Sequence, residues 1–181
     1  MFKEKQLIKF LLFSVGLYLV WFVLYEFWLK NDGHLDQLIT ENITIIISWM
    51  LKLTGYDVHY TQAHKLGETF IFLNPNIFPF LRVGASCNGL ELFILFTIFI
   101  ICYPGNAKVK LVYIIIGNII IHLLNIFRNY ILALMVLHQS TYFDLFHRYV
   151  FIFFVYGSIF ILWMIWTNKY SKLYVNRKQD K

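Results

Sequence analysis

Four stretches of this chain run for sixteen residues or more without a charged side chain: Phe10 to Tyr25, Leu92 to Ala107, Leu111 to Phe127 and Tyr149 to Asn168. The first continues apolar to Leu29, with Glu26 the one acid inside it. Crossing a bilayer core takes about 20 residues, with roughly 17 to 25 observed. Each stretch is long enough once its flanks are counted, so four transmembrane helices are expected at about 8–29, 88–104, 109–128 and 149–168. The first is expected to be a span rather than a signal peptide, because it exceeds the roughly 7–15 residues of an h-region and no small-residue cleavage site follows. Composition agrees, since 59% of the 181 residues are hydrophobic and only 14% charged, against about 25% charged in soluble domains. No linker composition, heptad run or solenoid repeat divides the chain. The expectation is an all-α integral membrane protein, one domain over 1–181.

The basic residues give it an orientation. Lys3, Lys5 and Lys9 precede the first span, Lys108 and Lys110 stand between the second and third, and Lys169, Lys172, Arg177, Lys178 and Lys181 follow the fourth. With four spans these groups share one side and hold 10 of the 16 basic residues, with only Glu4 and Asp180 among the acids. The positive-inside rule makes that side cytoplasmic, giving an N-in, C-in multi-pass protein of the cytoplasmic membrane. Anionic headgroups account for part of the net charge of +6. Nucleic acid is a poor partner, because no soluble module displays a basic face.

The segment 30–87 is then extracytoplasmic. Within Leu35 to Leu53 the apolar positions 35, 38, 39, 43, 46, 47, 50 and 51 follow helical spacing. This reads as an interfacial helix; a fifth crossing there would put the basic tail outside. Asp57 to Thr61 and Thr69 to Leu73 are rich in β-formers, with Gly67 and Asn74-Pro75-Asn76 as turn signals. A small β-hairpin cap is expected from them. Leu111 to Leu137 would rise about 40 Å as one helix, more than a core of about 30 Å requires. Arg128 falls where that crossing emerges, and Asn129 to Gln139 is expected to lie along, or dip into, the outer leaflet.

On this topology Cys87, in Arg82-Val83-Gly84-Ala85-Ser86-Cys87-Asn88-Gly89-Leu90-Glu91, opens the second span. Arg128 closes the third and His147 precedes the fourth, so all three reach one membrane face. A thiol near a helix N-terminus and beside Arg is biased toward thiolate. His147 can take the thiol proton and return it to a leaving amine. Arg128 can steady the oxyanion of a tetrahedral acyl intermediate. Asp144, one helical turn before His147, could orient the imidazole, and Asn125 could do the same for Arg128. Each residue also has an ordinary use: Cys as apolar filler, Arg as a headgroup anchor, His in an interfacial belt. Glu26 and Glu91 in apolar runs suggest function, yet either could be protonated or hydrogen-bonded near the interface. Cys87 and Cys102 stand about 22 Å apart along a helix, too far to bridge, and neither spacing nor flanking His suggests zinc.

The run Ala85-Ser86-Cys87-Asn88-Gly89-Leu90, then Asn125-Ile126-Phe127-Arg128 and later His147, resembles the exosortase/archaeosortase family of membrane transpeptidases. The likeness covers roughly Val83 to Trp166, and the small size and aromatic-rich spans look like the short, Bacteroidetes-type exosortases. Many members have Ser where this chain has Asn88, and the larger exosortases have more spans. The resemblance implies a bacterial inner-membrane cysteine transpeptidase or protease. Its substrates would be secreted proteins carrying a C-terminal recognition motif, a transmembrane helix and a basic cluster. Cys87 would be the nucleophile, Arg128 the oxyanion and thiolate stabiliser and His147 the acid–base, with Asn125, Asp144 and Asn88 in support. No metal or organic cofactor is implied. Two other classes stand beside it: a non-catalytic assembly factor or small transporter subunit, with Arg128 and Glu91 lining a polar path, and, ranked last, a haem protein using His122 and His138.

Overall fold

The computed structural model describes residues 4–62 and 67–171, with side chains from Ile8 onward. Lys3 of the N-terminal basic group and Lys172, Arg177, Lys178 and Lys181 of the C-terminal one lie outside the described residues. Helix α1 occupies 4–32 as Glu4–Leu24, a π-helical turn Tyr25–Leu29 and a last turn Lys30–Asp32. Gly33, at φ 67°, ends it, and α2 follows over His34–Leu53. A three-stranded antiparallel sheet comes next: β1 Val58–Gln62, β2 Thr69–Leu73 and β3 Pro79–Val83, in that order across the sheet. A 3₁₀ turn over Ala85–Cys87 leads to α3, Leu90–Cys102. Helix α4 spans Ala107–Leu137, and α5 runs over Phe143–Tyr170 with π-helical turns at Phe146–Val150 and Trp166–Tyr170.

Two cores hold these elements. The first is a cap in which Ile43, Ile47 and Leu51 of α2 meet Val58, Ile71 and Val83, one from each strand, and Ile126 and Ala133 of α4. The alternation of β-strands places Thr69 and Ile71 inward together. The expected hairpin is thus completed by a third strand. Its first residue is Pro79, the position where a missing N–H is tolerated, and a register irregularity at Ile71/Phe72 accommodates it. The buried face of α2 is also rotated from its apolar stripe. Asp36, Gln37, Thr40, Thr44 and Ser48 point inward, while Leu38 and Trp49 are more than half exposed. Several of these polar groups find partners there: Gln37 Oε1 accepts the Gly67 N–H at 2.8 Å, and the Thr44 and Thr69 hydroxyls meet, whereas Ser48 Oγ has no hydrogen-bond partner among the described residues.

The second core is the helix bundle, where Leu92, Phe96 and Ile100 of α3 pack on Ile121 of α4 and on Val155, Ile159 and Trp166 of α5. Close approach depends on two glycines. A Cβ on Gly117 would fall 2.2 Å from the Phe96 ring, and one on Gly105 would fall 2.6 Å from the Trp166 indole. Helix α1 leans on α3 from outside, where Phe10 sets its ring edge-on to Phe99 and Tyr103, both at 5.4 Å.

Three helices are long and apolar enough to cross a membrane: Ile8–Asp32, Ala107–Leu137 and Phe143–Tyr170. Helix α3, expected as a full crossing over 88–104, has 13 residues and rises about 20 Å. Gly89 at φ 81° starts it late, and Tyr103, extended ahead of Pro104, ends it. Helix α4 departs from expectation in the other direction. It runs unbroken for 31 residues, about 46 Å, so Asn129 to Leu137 continues the helix instead of turning along the bilayer. Leu132 and Ala133 are buried there, and Ala133 belongs to the cap core. One helix therefore joins bundle and cap.

Candidate active site

Between β3 and α3 the chain must turn from extended to helical, and Gly84 to Gly89 does so. Gly84 is extended at φ −111°, ψ 172°, its carbonyl accepts the Cys87 N–H at 2.8 Å, and Gly89 at φ 81° then caps α3. Only glycine adopts that last conformation without strain. It also lets the turn approach α4, because a Cβ on Gly89 would stand 3.0 Å from Asn125 Nδ2. Cys87 thus ends a 3₁₀ turn just ahead of α3. It is half-buried, packs against the cap core and carries a free thiol. Cys102, the other free thiol, is at the opposite end of α3.

The backbone of Cys87 is held by α4. Its carbonyl accepts from Asn125 Nδ2 at 3.0 Å and from Asn129 Nδ2 at 3.3 Å, and Asn129 Nδ2 also donates to the Asn125 carbonyl at 2.8 Å. Residues four apart share a helix face, so both amides reach one acceptor, and both residues are buried. Asn125 was expected to orient Arg128; it holds the Cys87 carbonyl. On the other side Asn88, 1% exposed, donates to Asp36 Oδ1 at 2.6 Å while its own Oδ1 accepts the Leu90 N–H at 2.9 Å. Asp36, 3% exposed, takes a second hydrogen bond from the Tyr25 hydroxyl at 2.9 Å.

Arg128 stands on α4 between the two asparagines and borders a cavity of about 350 Å³ enclosed by α1, α3, α4 and α5. Tyr25, Ser86, Asn88, Glu91 and Tyr156 line it too, with Glu26 and Lys30, an ion pair at 2.8 Å, on the α1 wall. Arg128 Nε is buried and has no hydrogen-bond partner among the described residues. A guanidinium donor withdrawn from water and left unpaired is costly.

His147 occupies the π-helical turn at the head of α5, half-buried, its ring stacked on Phe143 with centroids 5.6 Å apart and planes 5° apart. Arg128 and Asp144 are both within electrostatic reach of it. Among the described residues no hydrogen bond joins Cys87 Sγ to His147 or Arg128, or Asp144 to His147. Among the described residues the thiol's hydrogen-bond partner is Ser86 Oγ, at 3.9 Å. Neither Cys87 nor His147 lines the cavity. So Cys87 is tied to the helix of Arg128, and Arg128 neighbours His147, but thiol and imidazole are not in contact.

Three participants were not singled out from the sequence: Asn129, Asp36 and Tyr25. The Asn125/Asn129 spacing within an apolar helix was a usable signal; the link from Asp36 to Asn88, 52 residues on, carried none. His122 Nε2 meets Asn42 Oδ1 at 2.9 Å and His138 Nε2 meets the Tyr56 hydroxyl at 3.1 Å, so each histidine ties α4 to another element.

A family model described as transmembrane exosortase matches residues 1–170. No curated protein and no solved structure matches the chain. Several apolar helices, the Cys87 turn tied to the helix of Arg128, and a family match over nearly the whole length agree: the chain belongs to the transmembrane exosortase family.

Proposed function

We propose that this protein is a membrane-embedded cysteine transpeptidase or protease that removes C-terminal sorting signals from secreted proteins. Cys87 attacks the carbonyl carbon of the scissile bond, giving a tetrahedral oxyanion that Arg128 stabilises. His147 takes the thiol proton and delivers it to the departing amine, leaving a thioester on Cys87. A surface acceptor amine, or water, then attacks the thioester, and the thiol is regenerated as the product leaves. Asn125 and Asn88 support the Cys87 turn, and Asp144, one helical turn before His147, orients the imidazole.

One observation carries this reading: Arg128, whose Nε is buried without a hydrogen-bond partner among the described residues, lines a cavity that reaches Ser86 and Asn88, the two neighbours of Cys87. A guanidinium at a cavity lined by both neighbours of the nucleophile suits an oxygen that appears only during reaction. The missing thiol–imidazole contact is compatible with it, since catalytic hydrogen bonds often tighten only with substrate bound.

The proposed topology is N-in, C-in in the bacterial inner membrane, with α3 as a short second crossing and α2 with the sheet on the extracytoplasmic face. The partners are the bilayer and secreted proteins bearing the motif, helix and basic-cluster signal. Co-expression with such a substrate tests the chemistry: Cys87→Ala and Arg128→Ala should each abolish processing. Intact processing by Cys87→Ala would leave a non-catalytic assembly factor or transporter subunit, for which Arg128 and Glu91 on one cavity wall would be the polar path. A membrane-impermeant maleimide should label Cys87 in intact spheroplasts; labelling only after lysis would reverse the orientation.

A further inference from the structure

We infer that Asp36 is a positioning residue for the nucleophile, linking Tyr25 of the first transmembrane helix to the turn that carries Cys87. This rests on the function proposed above. Asp36 neither touches the thiol nor lines the cavity itself; it acts through Asn88. Its two carboxylate oxygens take different bonds, Oδ2 from the Tyr25 hydroxyl at 2.9 Å and Oδ1 from Asn88 Nδ2 at 2.6 Å. Asn88 is oriented at both ends, because its Oδ1 accepts the Leu90 N–H as α3 begins. The carbonyl just before Asn88 is that of Cys87, held from the opposite side by Asn125 and Asn129. The peptide unit joining Cys87 to Asn88 is thus gripped from α4 on one side and from α2 on the other, which limits the directions open to the thiol.

The chemistry of the hub explains why it is a carboxylate. An ionised carboxylate is acceptor-only and can receive both the phenol and the amide, and bonds to an ionised group are roughly twice as strong as neutral ones. Burying it without a cation is expensive, and among the described residues no Lys, Arg or His pairs with Asp36. Asp36 lies in the first turn of α2, where the helix dipole stabilises a negative group. A Cβ on Gly67 would stand 3.2 Å from Asp36 Cβ, and Gln37 fixes the Gly67 N–H, so Gly67 packs directly against the base of the carboxylate. Both ends of the relay, Tyr25 and Asn88, line the cavity that holds Arg128. A substrate seated there touches α1 and the nucleophile turn together, and Asp36 sets the distance between them.

The bond between Asp36 and Asn88 can be inverted. Asp36→Asn leaves one acceptor oxygen for two donors, so Asn88 or Tyr25 then faces an amide N–H₂, and Asn88→Asp sets carboxylate against carboxylate. In the double variant Asn at 36 donates to Asp at 88, still accepts from Tyr25, and the Leu90 N–H keeps its acceptor. The test uses the full chain in lipid nanodiscs and reads two rates: alkylation of Cys87 by iodoacetamide, with Cys102 as internal reference, and substrate processing. Each single variant should slow both about tenfold through kcat, with KM changed less than about twofold, as expected for one charge-assisted bond. The double variant should recover to within about threefold of the parent. Tyr25→Phe, which removes one bond and introduces no clash, should slow Cys87 alkylation about threefold; if the charge variants fail to fold, it decides alone. Singles indistinguishable from the parent, a double no better than its singles, or an unaffected Tyr25→Phe would each overturn the inference. Alkylation is read whether or not the protein cleaves a peptide, so failure of the positioning role is separable from failure of the transpeptidase reading, which Cys87→Ala tests.

Discussion

In the cap, the inward face of α2 presents five polar side chains and three apolar ones; in the bundle, the core from Leu92 to Trp166 is apolar throughout. The two regions bury atoms under different constraints. In the proposed topology the cap faces water on part of its surface, so the hydrophobic effect drives Ile43, Ile47 and Leu51 inward. Its polar groups then select one register by finding Gly67, Thr69 and Asn88. Between helices in lipid that drive is missing, and association depends on shape. Gly117 under Phe96, and Gly105 under Trp166, are how this bundle obtains its fit. The Cys87 turn lies where the regimes meet, with an apolar neighbourhood in the cap core and buried amides from the bundle's longest helix.

Removing a large apolar side chain from the cap should do the most damage. Ile47→Ala, at a fully buried position, should cost about 2–5 kcal/mol. Hydrogen exchange should then quicken in β1 and β2 while α5 stays protected. Spread of the effect into α5 would mean that the two cores are one cooperative unit. Next in size is the bundle's steric fit, where Gly117→Ala forces the Phe96 ring aside and should cost about 1–3 kcal/mol. Thermal unfolding in detergent would measure it, with the β-strand amides unchanged. At the junction, Asn129→Ala removes one of two donors to the Cys87 carbonyl and should cost about 1–1.5 kcal/mol. It should alter Cys87 alkylation more than Cys102 alkylation, a contrast absent if Asn129 merely packs. The smallest effect belongs to the exposed Arg82–Glu68 pair at 2.6 Å; Glu68→Gln should shift stability by less than about 1 kcal/mol, and the shift should vanish in high salt.

Much of the site was legible because its residue types are rare in their settings. An Arg at the end of an apolar helix, a Cys in a Gly-flanked turn and a His at the start of the last span each stand out from Leu, Ile and Phe. What could not be read was how they are held. Asn125 was assigned to Arg128 by proximity in sequence, yet its amide reaches a carbonyl 38 residues earlier. Helical spacing puts Asp144 one turn before His147, and it gives no sign that the imidazole also stacks on Phe143. Spacing along one helix shows which side chains can meet, not which acceptor another element brings closer.

The sequence by itself determined that this is a multi-pass membrane protein, because uncharged runs of that length have no other stable environment. It determined where turns fall, since Gly33, Gly67 and Gly89 occupy conformations that other residues resist. It also carried, in the order of Cys87, Arg128 and His147, the resemblance that the family match bears out. Only the tertiary structure decided that Pro79–Val83 is a third strand, that α3 has 13 residues, that α4 runs unbroken into the cap, and that α2 turns its polar side chains inward. The physical reason is common to all four. Period, length and charge are properties of a segment alone, whereas partners for buried polar groups, and the surface a helix packs against, come from residues tens of positions away.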